Sequence, residues 1–386
     1  MTTKVLLIDH APFFGGSESF LLDLLTTLDR QTYTPIIVTD PCSPILDRLR
    51  ASGDPVLTTP FPQINRSPFF AWRLLRSGWQ LAQLAQNARA DLMHTFTART
   101  HLIGAVASRL SGIPLLWRIG DDTLPTWVMS LFGRVPQCIV AVSHWITTCY
   151  PDLAFDGLVA DGARPPSPIS RAEARAEFGF APDELVVVHI GRLVRWKGQA
   201  VFIRALAQAA QTVPNVRGLV VGTWHDANER PGLLSGGQSY YNELCTLATE
   251  LGLNSEGFSR IVFAGFVADP GLAYAAADIV VHTSILPEPF GRTVIEAMIS
   301  GRPVVAARSG ALPEIVVEGE TGLLTPPGDS MALANALIEL LTSDERRLGM
   351  GLAARQRAEA EYTLTIMTHR MEEAYQHGLA RRSSVR

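Results

Sequence analysis

The chain has 386 residues, which is enough for two domains that each bury a core of their own. Hydrophobic residues make up 47% of it and charged residues only 18%, so a disordered chain is excluded. The formal charge of −4 lacks the basic excess of a nucleic-acid-binding protein, and no apolar run approaches the ~20 residues that span a bilayer.

Short apolar runs alternate with longer amphipathic stretches, which predicts βα units around parallel sheets. Runs such as VVVHI and IVVHT are apolar at successive positions, as expected for strands that helices cover on both faces. In the first half, strands are predicted at Lys4–Asp9, Thr34–Thr39, Pro55–Thr59, Asp91–His94, Pro114–Arg118 and Gln137–Val142. In the second half, they are predicted at Leu185–Ile190, Val216–Gly222, Arg260–Phe266, Asp278–Thr283 and Pro303–Ala307.

The stretch DGARPPSPIS (Asp161–Ser170) contains three prolines and predicts an interdomain linker. We therefore predict an α/β protein of two doubly wound, Rossmann-like domains that face each other across a cleft. The first covers residues 1–164 and the second 165–364, and a helix at about 365–386 is a candidate to pack back on the first. Open α/β sheets bind ligands beyond the carboxyl ends of their strands, so we expect functional residues there.

After the first predicted strand, the sequence HAPFFGGSESF contains a glycine pair, Gly15 and Gly16, that permits a tight turn. Ser17 is a candidate cap for a helix that begins at Glu18. Glycine amides before a helix can hold an anion. The spacing matches neither G-x-G-x-x-G nor G-x-x-x-x-G-K-[ST], which argues against a dinucleotide or P-loop site. A turn without any ligand is equally consistent with this stretch.

The loop GRLVRWKGQ follows the predicted strand Leu185–Ile190 and carries Arg192 and Lys197. Two cations at a strand's carboxyl end suit a diphosphate, whose charge they would neutralise as it leaves. A solvated surface pair is the ordinary alternative. Only two of the 33 basic residues of the chain are lysines, Lys4 and Lys197, and a lysine retained at this loop favours a functional role.

The stretch SILPEPFGRTVIEAMISGRP places Glu288 and Glu296 with seven residues between them. A helix is predicted at Thr293–Ser300, so Glu288 falls in the preceding loop and Glu296 in the early helix. The amides of Gly291 and Arg292 form the positive end of that helix, a site for phosphate or sugar hydroxyls. Carboxylates accept hydrogen bonds from sugar hydroxyls, although solvated glutamates are the commoner case.

These motifs resemble those of the retaining glycosyltransferases of family 4 (glycosyl transferases group 1), which have the two-domain GT-B fold. The family's E-x7-E appears as Glu288–Glu296 and its G-R-L-x-x-x-K-G as Gly191–Gly198. Its amino-terminal G-G-x-E appears as Gly15–Glu18, and Gly301–Asp329 follows the family's pattern after the helix. The resemblance covers nearly the whole chain.

The resemblance implies transfer of a sugar from a nucleotide-diphosphate sugar to a hydroxyl acceptor, in the synthesis of polysaccharide, glycolipid or a related glycoconjugate. The acceptor would attack on the side of the leaving group, with retention and without metal or cofactor. Arg192 and Lys197 would hold the pyrophosphate, Glu288 the transferred sugar. The implied substrate-binding residues are Gly15, Gly16, Asp121, Gly191, Phe266 and Val267 (against the base), Phe290, Gly291, Arg292, Thr293 and Glu296 (on the ribose).

The first domain departs from the family's pattern at two strand ends, one of which has Phe96 where relatives often have a histidine. Many relatives carry a histidine and an aspartate after the strand that corresponds to Pro114–Arg118, whereas WRIGDDTLP has Gly120 and keeps Asp121 and Asp122. His94 and His144 are secondary candidates for contact with the acceptor, because a lone histidine is more often structural.

A helix is also predicted at Arg66–Gln86, where Phe69, Phe70, Trp72 and Trp79 lie among Arg66, Arg73 and Arg76. Aromatic residues among arginines suit the surface of an anionic membrane, which would make the protein peripheral at the inner face. A core helix with a solvated arginine face is the favoured alternative.

Two rival functions stay open. A nucleotide-sugar epimerase on the same scaffold would need no acceptor. A non-catalytic nucleotide-sugar-binding protein of a polysaccharide assembly complex would lack the cations and Glu288, which are present. The four cysteines are far apart and form no C-x-x-C motif, so we expect neither zinc nor disulfides and a cytoplasmic location.

Overall fold

The computed structural model describes residues 2–10, 15–62, 69–123, 125–223, 236–255 and 257–384. The chain divides into two compact units, one of residues 1–162 with 364–386 and one of residues 163–363. The linker segment Asp161–Ser170 contains neither a helix nor a strand, only an isolated bridge between Ala163 and Thr363.

Unit 1 is built on a parallel sheet of seven strands among the described residues, in the order β3-β2-β1-β4-β5-β6-β7. The order reverses between β1 and β4, which makes that pair the switch point of a doubly wound sheet. The strands are β1 (Thr3–Ile8), β2 (Tyr33–Thr39), β3 (Val56–Thr58), β4 (Leu92–Thr95), β5 (Leu115–Ile119), β6 (Cys138–Ala141) and β7 (Gly157–Leu158).

Helices cover both faces of this sheet. Alternate side chains of its strands therefore lie in two separate apolar clusters, one on each face. One cluster contains Val5 and Leu7 of β1, and the other contains Leu6 and Ile8. The helices are α1 (Gly16–Thr27), α2 (Leu46–Ala51), α3 (Phe70–Ala88), α4 (Ala98–Ser111), α5 (Thr126–Phe132) and α6 (His144–Cys149).

Unit 2 repeats the architecture with the order β12-β9-β8-β13-β14-β15, all parallel, and its switch point lies between β8 and β13. A separate two-stranded ribbon, β10-β11, is antiparallel. The strands are β8 (Leu185–Ile190), β9 (Val216–Val221), β10 (Asn254–Ser255), β11 (Phe258–Ser259), β12 (Ile261–Gly265), β13 (Ile279–His282), β14 (Val304–Ala307) and β15 (Gly322–Thr325). The helices are α7 (Arg171–Glu177), α8 (Gln199–Thr212), α9 (Gly237–Glu250), α10 (Gly271–Ala276), α11 (Arg292–Ile299), α12 (Leu312–Ile315), α13 (Ser330–Leu341) and α14 (Asp344–Glu361).

The last helix, α15 (Leu364–Ser384), belongs to unit 1 rather than to unit 2. It packs on α1, and its Met371 and Tyr375 are fully buried in the cluster that also holds Leu7 and Phe20. No helix in the described part of the chain is long and apolar enough to cross a bilayer.

All eleven predicted strands are present, each end within one residue of the prediction, whereas β7, β10, β11 and β15 were missed. Three of the missed strands, β7, β10 and β11, have only two residues, which is too short for a pattern to show, whereas the missed β15 is as long as the predicted β13. The first helix begins at Gly16, with Gly15 as its N-cap, so the prediction that Ser17 caps a helix starting at Glu18 is wrong.

The favoured interpretation of the predicted helix Arg66–Gln86, a core helix with a solvated arginine face, holds only in part. Leu81 and Ala82 are buried and the arginines Arg73 and Arg76 are exposed, but the tryptophans are exposed as well. The helix runs over Phe70–Ala88, and Arg66 lies outside the described residues. Trp72 and Trp79 are more than half exposed instead of buried. Close packing on α4 limits the inner face at one point: a Cβ on Gly78 would lie 2.4 Å from Val106 Cγ1, so a large side chain does not fit there.

Candidate active site

The candidate site of unit 2 lies at the carboxyl ends of β8 and β13, the neighbouring strands of its switch point. After β8, the loop passes Gly191 and Arg192, forms a 3₁₀ turn at Arg195–Lys197 and leads into α8. After β13, residues 283–291 lead into α11. The two loops that carry the predicted motifs are therefore neighbours because their strands are paired.

Hydrogen bonds hold these two loops together. The Ile285 amide donates to the Trp196 carbonyl at 2.7 Å, and Thr283 Oγ1 donates to the Gly198 carbonyl at 2.9 Å. Gly198 has φ +72°, and a Cβ there would lie 2.0 Å from the Thr283 carbonyl oxygen. Only glycine permits this approach, which fixes the position of the adjacent Lys197.

Lys197 and Glu288 form an ion pair at the centre of the site. Lys197 Nζ lies 2.7 Å from Glu288 Oε2, and the two side chains are only 16% and 14% exposed. The same carboxylate oxygen accepts a hydrogen bond from Ser284 Oγ at 3.1 Å and lies 3.4 Å from His282 Nε2. Two of the three predicted catalytic residues, Lys197 and Glu288, which are 91 positions apart in the sequence, are thus brought into direct contact.

The environment of Glu288 keeps its carboxylate ionised. Burial alone would raise the pKa of Glu288, but the Lys197 charge and the hydrogen bond from His282 outweigh it. The pKa therefore lies well below its ordinary value. Glu288 acts as a permanent acceptor of hydrogen bonds rather than as a group that exchanges a proton near neutral pH.

The backbone of Glu288 is held from the other side by the loop that follows β14. The Ala311 amide donates to the Glu288 carbonyl at 2.9 Å. The preceding residue, Gly310, has φ +61°, and a Cβ there would lie 2.2 Å from the Glu288 carbonyl oxygen and 2.4 Å from its nitrogen. Gly310 is therefore required for the position of Glu288, although it carries no functional group itself.

Glu296 lies in the first turns of α11, as predicted. Its Oε2 accepts a hydrogen bond from the Tyr274 hydroxyl at 2.9 Å, and its Oε1 lies 3.3 Å from Arg292 Nε. Burial, followed by the nearby Glu296 charge, raises the pKa of Tyr274 well above its ordinary value. The Tyr274 hydroxyl also lies 3.3 Å from the carbonyl of Thr293. Glu296 is thus an oriented, partly exposed carboxylate.

The remaining predicted residues of unit 2 fall around these two glutamates. Gly291, with φ +118°, is the N-cap of α11. Arg192 lies on the loop of Lys197, and its carbonyl accepts a hydrogen bond from Gln199 Nε2 at 2.7 Å. The Gly191 amide donates to the Val221 carbonyl at 2.9 Å. The Phe290 ring is buried, with its centroid 6.1 Å from that of Tyr362, so it stabilises the loop.

Phe266 and Val267, the residues predicted to lie against the base, follow the end of β12. The Phe266 side chain is 69% exposed and Val267 is half-buried. An exposed aromatic ring at the carboxyl end of a strand has the accessibility that stacking on a base requires. Their role in base binding stays a prediction.

In unit 1, the predicted glycine pair lies at the start of α1. The Gly15 amide donates to Glu18 Oε2 at 2.7 Å, so a buried carboxylate of the same helix already accepts a hydrogen bond from this amide. Asp121 Oδ1 accepts hydrogen bonds from the Thr123 amide and hydroxyl at 3.1 and 2.6 Å. Burial raises the pKa of Asp121 in spite of these bonds.

The secondary candidates His94 and His144 differ in accessibility. His94 is fully buried, its Nδ1 lies 2.9 Å from the Tyr375 hydroxyl, and its ring is 4.1 Å from that of Phe96. Burial, and then the Arg118 charge, lowers the pKa of His94 well below its ordinary value. His94 is therefore a structural residue that joins α15 to the sheet. His144 is exposed at the start of α6.

Several residues that position the site lie outside the predicted motifs. His282 is the last residue of β13, and its place at a strand's carboxyl end was a signal that could have identified it. Ser284 follows two positions later. Tyr274 and Gly310 lie on separate elements, and nothing local in the sequence indicates that they contact Glu296 and Glu288.

Two family models match the chain. The model described as "Glycosyl transferases group 1" matches residues 170–357, a range that contains all the site residues of unit 2. The model described as "Glycosyl transferase 4-like domain" matches residues 15–191. Together the matches span residues 15–357 and overlap over residues 170–191.

The chain matches one known protein over nearly its whole length and others over about half of theirs. It is 31% identical over 389 residues, covering 96% of each chain, to the GDP-mannose-dependent monoacylated alpha-(1-6)-phosphatidylinositol monomannoside mannosyltransferase of Corynebacterium glutamicum. It is 36% identical over 204 residues to the D-inositol 3-phosphate glycosyltransferase of Corynebacterium aurimucosum, covering 52% of this chain and 45% of that protein. The chain thus matches about half the length of this second relative and of others with the same name.

Among solved structures, Anabaena Alr3699/HepE in complex with UDP and glucose has a TM-score of 0.80 and 27% identity. The likeness covers 97% of this chain and 99% of that one. The two parallel-sheet units and this likeness show the GT-B fold, as predicted. The chain belongs to the glycosyl transferases group 1 family.

Proposed function

We propose that the protein is a retaining, metal-independent glycosyltransferase that moves a sugar from a nucleotide-diphosphate sugar to a hydroxyl acceptor. One observation carries the proposal: the partly buried Lys197–Glu288 pair at the switch point of unit 2. This pair combines a cation suited to a leaving diphosphate with a carboxylate suited to sugar hydroxyls, at the edge of the sheet where ligands bind.

In this proposal, the positive charge at the site stabilises the departing diphosphate. Lys197 Nζ carries three protons, of which one is directed to Glu288, so two can donate to phosphate oxygens. Arg192 on the same loop and the amides at the start of α11, beside Gly291, supply further positive charge. These groups do the work that a divalent metal does elsewhere.

Glu288 orients the transferred sugar. The contacts from Lys197, Ser284 and His282 all go to Oε2, so we assign Oε1 to a sugar hydroxyl. Glu296, oriented by Tyr274, accepts hydrogen bonds from the donor's ribose hydroxyls. Both glutamates bind by accepting hydrogen bonds, and neither has to change its protonation state.

The depressed pKa of Glu288 favours retention by front-face attack. A carboxylate this acidic is a weak base and does not take the proton of the acceptor. The acceptor oxygen forms its bond to the anomeric carbon on the face from which the phosphate oxygen leaves with the bonding electrons. The hydroxyl proton passes to that phosphate oxygen. The enzyme contributes position and charge stabilisation.

The relatives suggest which donors to test. The Corynebacterium glutamicum relative is named for GDP-mannose, and the Anabaena structure holds UDP and glucose. We propose a hexose on UDP or GDP as the donor. The acceptor is a hydroxyl of a sugar, a lipid-linked sugar or a small molecule, in cytoplasmic synthesis of polysaccharide, glycolipid or a related glycoconjugate.

Thermal unfolding with UDP-, GDP- and ADP-hexoses tests the donor site, because a ligand that binds the native state raises the melting temperature. One of these donors should raise it, and Glu296→Gln should reduce the increase. A product that keeps the donor's anomeric configuration by NMR, and turnover that survives EDTA, are the further expected results. If no nucleotide sugar shifts the wild-type protein, the donor site is assigned wrongly.

A further inference from the structure

Helix α3 of unit 1 carries a row of large apolar side chains on its outer surface. Trp72, Leu75 and Trp79 are 57%, 59% and 56% exposed. At about 100° of rotation per residue, these three side chains fall within an arc of roughly 60°. Phe69, just before the helix begins, is 63% exposed at the same end. We call this surface of Phe69, Trp72, Leu75 and Trp79 the outer α3 face.

The inner side of α3 is made mostly of small residues, with Leu81 the largest side chain that is fully buried there, whereas both tryptophans of the helix face outward. The residues buried against the rest of unit 1 are Ser77, Gly78, Leu81, Ala82 and Ala85. An amphipathic helix at the surface of a globular protein normally buries its largest apolar side chains. Here two tryptophans face outward although the helix is well anchored on α4. A contiguous exposed apolar surface of this kind marks a site of interaction.

The charge of α3 identifies the partner. The helix sequence FAWRLLRSGWQLAQLAQNA contains Arg73 and Arg76 and no acidic residue. Both arginines are exposed, and the guanidinium carbon of Arg76 lies 5.2 Å from the centre of the Trp72 ring. Aromatic rings at the level of the head groups, with arginines beside them, suit an interface that is apolar inside and negatively charged outside.

Helix α14 also exposes large apolar side chains, but its charges are of both signs. On α14, Leu348 and Leu352 are 67% and 60% exposed. Their helix, DERRLGMGLAARQRAEAE, mixes acidic and basic residues, and ion pairs such as Arg355–Glu359 lie along it. Exposed leucines on a helix of mixed charge have no preference for an anionic surface. This makes α14 the matched control for α3.

We propose that the outer α3 face binds the surface of an anionic lipid bilayer, with the helix lying in the plane of the interface. The tryptophan rings and Leu75 enter the boundary between head groups and acyl chains, and Arg73 and Arg76 contact lipid phosphates. Unit 1 thereby rests on the membrane. The inference is independent of the donor site, which lies in unit 2.

Flotation with vesicles tests the proposal. The full-length protein should float with vesicles of phosphatidylcholine and phosphatidylglycerol, and much less with phosphatidylcholine alone or at high salt. Trp72→Ser and Trp79→Ser should each lower the partition coefficient about tenfold, because each removes one large apolar side chain from the interface. Arg73→Gln with Arg76→Gln should remove most of the preference for anionic vesicles. The control pair Leu348→Ser and Leu352→Ser should change nothing.

Melting temperatures and donor-induced thermal shifts establish that these surface variants are folded. Binding that persists in the Trp72→Ser, Trp79→Ser double variant would overturn the proposal, as would failure of the wild-type protein to bind anionic vesicles. Light scattering tests whether the outer α3 face binds a second copy of the chain. If the wild-type protein formed a dimer and the double variant did not, the face would be assigned to a second copy instead of lipid. Membrane binding requires a wild-type protein that floats at concentrations where it is monomeric.

Discussion

The two units share one sheet topology but differ in what lies at the carboxyl edge of the sheet. In unit 2, the switch-point strands β8 and β13 lead into loops that place Lys197 against Glu288. In unit 1, the switch-point strands β1 and β4 lead to His10 and Thr97, whose Nδ1 and Oγ1 lie 2.9 Å apart. Burial, and then the Arg99 charge, lowers the pKa of His10 to about 3, so this histidine is neutral.

The difference shows that a doubly wound sheet determines where a site lies, while its loops determine the chemistry. Unit 2 concentrates paired charges that suit one small, highly charged ligand. Unit 1 buries neutral histidines and exposes tryptophans on α3, features that suit an extended or apolar partner. We therefore expect the catalytic charges to lie in unit 2 and the acceptor and the membrane to be recognised by unit 1.

The largest effect is expected from removing the charge of Lys197. Lys197→Ala should lower kcat roughly a hundred- to a thousandfold, since it removes a donor to the leaving diphosphate. Lys197→Arg keeps the charge but should also impair transfer, because a planar guanidinium cannot take the place of a compact ammonium. Steady-state kinetics of sugar transfer measure both.

Arg195 provides the control for this prediction. It lies in the same 3₁₀ turn, but its guanidinium pairs with Glu243 on the surface. Arg195→Gln removes a cation from the same turn and should leave kcat nearly unchanged. If Lys197→Ala and Arg195→Gln lowered kcat equally, the role assigned to Lys197 at the leaving diphosphate would be wrong.

A smaller effect is expected from Gly310→Ala. The new Cβ would meet the backbone of Glu288 and displace its carboxylate, and a displacement of about 1 Å at a catalytic group can lower the rate up to a hundredfold. Gly319→Ala is the matched control, because Gly319 has φ +77° but open space around a Cβ. Both variants should lose stability through the positive φ, and only Gly310→Ala should lose transfer activity and donor affinity.

The smallest effect is a difference in acid stability between the units. Burial holds the pKa of His101 in unit 1 and of His189 in unit 2 at about 3, and that of His94 in unit 1 well below its ordinary value. Each stays neutral in the folded protein but binds a proton when unfolded, below pH ~6.5. Stability is therefore present above pH ~6.5 and lost as the pH falls toward 3, by about 2 kcal/mol at pH 5 for a group such as His101.

With His10, unit 1 contains three such histidines and unit 2 contains one, among the described residues with a lowered histidine pKa. The raised pKa of Asp121 in unit 1 opposes this loss of stability at low pH, but it is a single group against the three histidines. Hydrogen exchange at pH 7 and pH 5, corrected for intrinsic rates, should show a greater loss of protection in unit 1. Equal losses of protection in both units would contradict the prediction that unit 1 is the more sensitive to acid.

Much of the fold could be predicted because strands buried on both faces are apolar at every position. VVVHI and IVVHT have no helical or alternating period, and they form β8 and β13 as expected. Among the strands that escaped prediction, β7 (Gly157–Leu158), β10 and β11 have only two residues each, too few to carry a pattern. The exposed side of α3 was misjudged because periodicity shows that a helix has two faces, but not which one packs on α4.

The sequence by itself determined the order of βα units, the family and the identities of the charged residues, since these depend on patterns that are local along the chain. Only the tertiary structure decided the partners of those residues. Parallel pairing of β8 with β13 brings Lys197 and Glu288 to 2.7 Å, and the return of the β14 loop makes Gly310 essential to their geometry. Contacts between distant positions depend on how strands pair and how closely backbones approach, and no local pattern encodes either.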